Sequence, residues 1–469
     1  VPHEIVKKCR GAIMDKNPTS MRVQDPGIRE LFTLDAQWQA WLDVEAALAM
    51  AEAEIDVVPQ AAAEEIVAKA KLELLDRERI DEGLRRTAHP LVPLVWELAR
   101  VCDGDAGNYV HWGATTQNIT QTGNLLQLRR AHGIFLDQFA TILSAMSALA
   151  EKTHDMALPG RTHGQHAVPA TFGLKVAVWI DETARHVERL QGAEGRVFAA
   201  MLGGGAGTMA SFDGQGPEIQ RRMAAHLGMT PMAVPARTIG DHLAEYVTLL
   251  GLIAGTCSKI AREVYTLMKE EFKEVEEPVP AGTVGSSTMP QKRNPKLSQD
   301  IMASAAHVRA LVPLALEAME TEHEADRGRD LMMNQALHTA CGETGDILER
   351  IRMLMEGMQV FPERMRRNLD LSGGLIMAEA LMLSLGAHIG RQEAHDVIYD
   401  AAQDTATGDK SFKDHLAANA MVRKHLTPEQ VEALLDPTDY TGMSSHMALE
   451  QAARGAKLAA ELRARPKAR

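Results

Sequence analysis

The sequence predicts an all-α protein built from several helical domains, and three observations carry that expectation. The chain has 469 residues, more than one ordinary hydrophobic core accommodates, so two or three domains are expected. Aromatic residues make up only 4% of it, while Ala, Leu and Met are plentiful, with 25 Met. These are helix formers, whereas sheets want β-branched and aromatic residues. Finally, apolar residues recur at helical steps over very long stretches.

Taken in order, the chain first reads as an N-terminal helical domain over residues 1–112. The turn cluster Asp103-Gly-Asp-Ala-Gly-Asn108 closes it. A helix over Thr122–Lys152 follows, with Phe135, Phe139, Ile142, Met146 and Leu149 as its seam. Another starts near Phe172 and carries Leu174, Val178, Glu182 and Leu190. A third spans Asp241–Phe272, with its stripe running from Leu243 to Leu267. At ~1.5 Å per residue it is over ~40 Å long, beyond a typical globular helix. A fourth starts after Pro295 and continues past Pro313, which should kink it.

These helices define a central bundle domain over 113–361. Their apolar surface exceeds what one bundle needs, which favours burial between subunits over a thick monomeric core. Phe361-Pro-Glu-Arg opens a new helix. Leu371-Ser-Gly-Gly374 then breaks the pattern, and a small helical domain is expected over 362–469, ending in a frayed basic tail from Arg463 to Arg469.

Charge and cysteine usage narrow the function. The net charge of −13, with no basic block, argues against nucleic acid as a partner. No uninterrupted apolar run reads as a bilayer span, and Val1 to Lys8 lack the apolar core of a signal peptide. Cys9, Cys102, Cys257 and Cys341 are far apart, without metal-type spacing, as in a reduced cytoplasmic protein.

Three polar clusters interrupt the apolar helices. The first is His111-Trp-Gly-Ala-Thr-Thr-Gln-Asn118. Its Thr115, Thr116, Gln117 and Asn118 precede a helix and read either as an N-cap run or as a receiver for a carboxylate. The second is Gly160-Arg-Thr-His-Gly-Gln-His166. His163 and His166 have a spacing that can bind a metal, but no Cys, Asp or Glu nearby completes a ligand set. His166 reads as a core histidine bonded to a carbonyl, and His163 as a positioned acid or base. The third, Gly285-Ser-Ser-Thr-Met-Pro-Gln-Lys-Arg-Asn-Pro295, is the most informative. It combines two hydroxyls, Ser286 and Ser287, with the cation of Lys292 and the amide of Asn294 in a proline-stiffened loop. Such a loop suits an anionic substrate that must lose a proton. A further run, Gly203-Gly-Gly-Ala-Gly207, follows a segment read as helical and lacks the βαβ context of a dinucleotide loop. Close backbone approach at a tight turn is its simpler reading.

The loop 285–295 resembles the signature of the fumarase/aspartase superfamily, and Thr115-Thr116-Gln117 and Thr162-His163 resemble its two other active-site regions in the expected order. Gly-Gly-Ala-Gly-Thr208 and Asp370-Leu-Ser-Gly-Gly-Leu-Ile376 are similar to the branch holding adenylosuccinate lyase and 3-carboxy-cis,cis-muconate cycloisomerase. The resemblance implies a homotetramer whose central domains form a twenty-helix core, with each active site shared by three subunits. It implies a small dicarboxylate or polycarboxylate substrate and no cofactor. By similarity Ser286 is the general base, acting as an alkoxide, and His163 protonates or orients the departing group. Thr115, Thr116, Gln117, Thr162, Ser287, Met289, Lys292 and Asn294 would contact substrate, with His111 and His89 lining the pocket.

Departures from the branch bear on the substrate. The segment Thr321-Glu-His-Glu-Ala-Asp-Arg-Gly-Arg-Asp330 is acidic and lacks the serines that grip a nucleotide phosphate in adenylosuccinate lyases. Asn118 stands where Asp is usual. Gln299 stands where a Glu orients the catalytic histidine, leaving Asp300 as the nearby substitute. His163 is kept, whereas bacterial cycloisomerases often lack its counterpart. The expectation is therefore a fumarate-releasing lyase acting on an N-substituted aspartate or related succinyl compound, with C–N cleavage preferred and a muconate-type cycloisomerase as the alternative.

Overall fold

The computed structural model describes residues 23–279 and 282–466. Cys9, the first eight residues and the last three of the basic tail lie outside them. Cys102, Cys257 and Cys341 are free thiols. The described chain is all-α, with three short two-stranded ribbons as its β-structure.

The first of the long helices runs over Thr116–Thr153, six residues earlier than the apolar seam suggested. The polar run 116–121 is helical because Asn118 reaches back to accept from Thr115 N at 3.1 Å, one half of a capping box. The other long helices are Phe172–Val197, Asp241–Leu267 and Lys296–Glu317. The third stops short of Phe272, and Lys273 beyond it has positive φ. The fourth carries Pro313 inside it. A fifth, Arg327–Gly357, had no expectation attached. Its Asp326 cap accepts from Gly328 N at 2.8 Å, but glycines at 342 and 345 dilute its apolar stripe.

Asp241–Leu267 packs along Lys296–Glu317 and Arg327–Gly357, and Thr116–Thr153 packs along Phe172–Val197. One core runs through these helices and the N-terminal ones, from Ile28 to Leu462. Within 362–469 the packing divides. Leu381, Leu385, Phe412, Leu416 and Val431 share a separate core, whereas the last helix, Ser444–Ala464, lies along Thr116–Thr153 and Phe172–Val197.

Two helices, Thr116–Thr153 and Asp241–Leu267, are long and apolar enough by length and composition to cross a membrane, contrary to the sequence expectation. In each, 61% of the most apolar stretch is buried inside the protein, as a helix surrounded by other helices requires.

The second polar cluster lies in β-structure that the helical periods did not indicate. Residues 157–171 form a β-hairpin, Ala157–Thr162 against Gln165–Thr171. Its turn is His163-Gly164, both with positive φ (53° and 77°), the signature of a tight hairpin turn. Prolines argue against strands, yet Pro159 lies opposite Pro169 in a ribbon with two free edges. The segment read as helical before the glycine run is helical only as far as Val197; Ala199–Ala200 beyond it is extended and pairs with Thr230–Pro231. The glycine run behaves as expected. A Cβ at Gly203 would lie 2.1 Å from the Pro235 carbonyl oxygen.

Candidate active site

The first cluster opens the helix Thr116–Thr153 and lines a cleft of about 650 Å³. His89, Thr115, Thr116 and Gln117 face it, joined by Arg237, Arg327, Asp330 and Asn334. His89 Nδ1 accepts from Leu91 N at 3.3 Å and Val92 N at 3.1 Å. That leaves Nε2 as the protonated nitrogen, 3.4 Å from Thr116 Oγ1.

Gln117 is buried and fully engaged. Its Oε1 accepts from Arg237 Nε at 2.9 Å, and its Nε2 donates to the Arg237 carbonyl at 2.8 Å and to Gln121 Oε1 at 3.0 Å. The amide expected to receive a carboxylate therefore orients Arg237, whose Nη1 is also held by the Gly205 carbonyl at 2.9 Å. Burial raises the Asp330 carboxyl to about 6, against the opposing pull of Arg237. Arg237 had no motif around it in the sequence, and Asp330 was visible only as part of an acidic run.

His111, the first residue of the cluster, does not line this cleft; it has positive φ (63°) and its Nδ1 lies 2.7 Å from Glu45 Oε1. Burial opposes the imidazolium, but the charge and hydrogen bond of Glu45 outweigh it, and the His111 pKa is raised. Asn118 does not line the cleft. It is fully buried, and its Oδ1 accepts from Thr115 N at 3.1 Å and from Gly204 N at 3.0 Å. Its departure from Asp thus alters the tie between the glycine run and the helix start.

The second cluster stands at the hairpin tip, where Thr162 and His163 are exposed. The hairpin is anchored below them. Arg161 donates to both oxygens of the buried Glu274, at 2.6 and 3.1 Å, and its guanidinium lies 4.8 Å from the Phe272 ring centroid. The His163 imidazole makes no hydrogen bond among the described residues. His166 departs from expectation, because its buried Nδ1 has no partner among them. Among the described residues no group of three His, Cys, Asp or Glu is placed to hold a metal ion.

In the third cluster Ser286 Oγ faces two backbone donors, Met289 N at 3.1 Å and Thr288 N at 3.4 Å. Paired N–H groups of this kind stabilise a developing oxyanion. Asn294 Nδ2 donates to the Gly285 carbonyl at 2.8 Å, so part of the amide assigned to substrate braces the loop instead. Gly285 is obligatory, since a Cβ there would fall 2.0 Å from the Lys292 carbonyl oxygen. Ser287, Met289 and Lys292 are exposed, and the Lys292 ammonium makes no ion pair among the described residues. Gln299 is exposed, and Asp300 lies 3.8 Å from Arg350 Nε.

Within one chain the three clusters do not meet. No hydrogen bond joins them among the described residues, and no residue of 160–166 or 285–295 lines the cleft at Thr115–Gln117.

A family model described as "Lyase" matches residues 11–310, and one described as "Adenylosuccinate lyase C-terminus" matches residues 374–450. The adenylosuccinate lyase of Methanothermobacter thermautotrophicus is 38% identical, over 92% of this chain and 97% of its own. The chain belongs to the fumarase/aspartase superfamily of lyases. Other relatives in the superfamily differ in what their names say they act on. The N-acetyl-S-(2-succino)cysteine lyase of Dickeya dadantii is 36% identical, over 89% of this chain and 92% of its own. Among solved structures, a fumarate lyase from Mesorhizobium sp. BNC1 superposes with a TM-score of 0.85 at 34% identity, covering 92% of this chain and 98% of that one. A 3-carboxy-cis,cis-muconate lactonizing enzyme from Pseudomonas putida reaches 0.84 at 33%, covering 94% and 98%. The protein is thus a superfamily enzyme, with the superfamily's signature loop on an all-α scaffold.

Proposed function

We propose that this enzyme catalyses a reversible, cofactor-free β-elimination from an N-substituted aspartate or related succinyl compound, releasing fumarate. The observation that carries the reading is the cradle at Ser286, where two backbone N–H groups converge on one hydroxyl oxygen. The hydrogen to be removed lies beside a carboxylate and is very weakly acidic. Its removal sends charge onto the carboxylate oxygens, so catalysis needs a strong base and fixed donors in a dry site. A serine hydroxyl becomes that base only when its alkoxide is stabilised.

In this reading Ser286 takes the proton and Lys292 pairs with a carboxylate of the substrate. The C–N bond, or another bond from carbon to a heteroatom, breaks on the adjacent carbon, and His163 supplies a proton to the departing atom. The separation of the three clusters supports a site completed by other copies of the chain in a homotetramer. Val178, Leu252 and Leu316, exposed on the long helices, are the kind of surface such an assembly covers.

The test is fumarate absorbance in the presence of a panel of amines and thiols. Loss of absorbance with one of them, abolished in Ser286→Ala while fumarate still binds, supports the lyase. Turnover of a carboxymuconate in place of fumarate addition would replace it with a cycloisomerase.

A further inference from the structure

Glu277 lies upstream of the signature loop 285–295, and its carboxylate is spent at the helix start that follows the loop. The side chain is almost fully buried, 3% exposed. Its Oε1 accepts from Ser298 N at 2.7 Å and its Oε2 from Leu297 N at 3.0 Å. These are second- and third-position amides of the helix Lys296–Glu317, which Pro295 precedes with no side-chain cap. Such amides lack intrahelical partners, and a side chain next to the helix start ordinarily takes them. Here the cap comes from twenty residues upstream, and it is a carboxylate placed at the positive end of the helix.

Further contacts tie the two arms of the loop to each other. Lys296 Nζ donates to the Val284 carbonyl at 2.8 Å and Asn294 Nδ2 to the Gly285 carbonyl at 2.8 Å. Arg293 pairs with Glu276. Lys292 and Asn294 are carried on the arm that ends at the helix start held by Glu277. A cavity of about 720 Å³ lies beside this base, lined by Glu277, Lys292, Arg293, Asn294, Lys296 and Asp300, so solvent reaches the arm that the clamp has to steady.

We infer that Glu277 is a positioning residue for catalysis, a buried clamp that closes the base of the loop and thereby places Lys292 and Asn294 opposite the Ser286 cradle. Its catalytic part rests on the proposed lyase reading, whereas its structural part does not.

The experiment pairs hydrogen exchange with kinetics on the full chain, comparing wild type with Glu277→Gln and Glu277→Ala. Ser411→Ala is the control, because it removes an ordinary cap from the helix Phe412–Ala418, far from the loop in sequence. In Glu277→Ala, amides of 282–295 exchange roughly fivefold faster or more while those of Asp241–Leu267 keep their protection. The turnover number for fumarate addition falls about a hundredfold, as for misplaced reacting groups, and KM for fumarate rises, because Lys292 pairs with a substrate carboxylate. Glu277→Gln keeps one acceptor oxygen and falls between. Ser411→Ala loses comparable thermal stability and keeps its turnover.

Unchanged loop exchange in Glu277→Ala overturns the clamp whether or not the wild type turns over. Faster exchange with turnover no lower than in Ser411→Ala overturns the positioning role and leaves the lyase reading intact. A wild type inactive toward every amine and thiol in the panel sinks the lyase reading and the catalytic role together, while the exchange result still decides the clamp.

Discussion

Arg237 and Gln117 hold each other through two hydrogen bonds, Nε to Oε1 at 2.9 Å and Nε2 to the Arg237 carbonyl at 2.8 Å. The pairing moves the positive charge of the cleft onto a residue 120 positions away from the motif that announced the site. Arg237→Met is therefore expected to weaken fumarate binding by roughly 10- to 100-fold, the loss of a charged hydrogen bond. Gln117→Ala, which removes only the brace, is expected to lose less. Calorimetric titration with fumarate measures both, and binding in Arg237→Met equal to wild type would refute the assignment.

His111 and Glu45 predict a pH window. The His111 pKa is raised in the folded chain by Glu45, against burial. A raised histidine contributes stability that is fully present below its unfolded value, about 6.5, and that is lost as pH rises through the folded value. Glu45→Gln should cost about 2 kcal/mol at pH 6, as for a hydrogen bond to a charged group, and progressively less in alkaline solution. Melting curves from pH 5.5 to 9 test this, and a pH-independent deficit would exclude it.

Glu52 predicts a second loss of stability with rising pH, from a different cause. It is fully buried with both oxygens unpartnered among the described residues. Burial, and secondarily the charge of Glu45, raises its carboxyl to about 9. Below about 4.5 both states hold the proton and there is no penalty. Between about 4.5 and 9 only the unfolded chain ionises, so this group lowers stability as pH rises. Glu52→Met should raise stability at pH 7.5 on the order of 2 kcal/mol, with the gain shrinking toward pH 4.5. Denaturant titrations at the two pH values distinguish this from a simple packing gain, which would persist at both.

Gly285 predicts a local failure. The added methyl of Gly285→Ala meets the Lys292 carbonyl oxygen at 2.0 Å, so the two arms of the loop must part. Turnover should fall about a hundredfold while the melting temperature stays within a few degrees, because the core formed by the long helices does not include the loop. Full activity in the variant would show that the two arms need not touch.

What could be read from the chain alone is what depends on neighbours in sequence. Helical periods located the long helices other than Arg327–Gly357, since residues three and four apart share a face whatever lies opposite. The loop 285–295 was legible for the same reason: its hydroxyls, cation, amide and prolines lie within one short segment, and Ser286 finds its two donors two and three residues on. The hairpin at 157–171 was missed because its prolines and the His163-Gly164 turn contradict strand patterning, and only the pairing of two short edges satisfies them.

The tertiary structure alone decided which polar groups are free to meet a substrate. Gln117 is occupied by Arg237, Asn294 partly by Gly285, and Asn118 by Gly204. It also decided that Glu277 reaches forward to cap a distant helix and that Glu45 stands behind His111. Hydrogen bonds are short and directional, so which donor finds which acceptor across tens of residues follows from how the helices pack, and no local pattern encodes it.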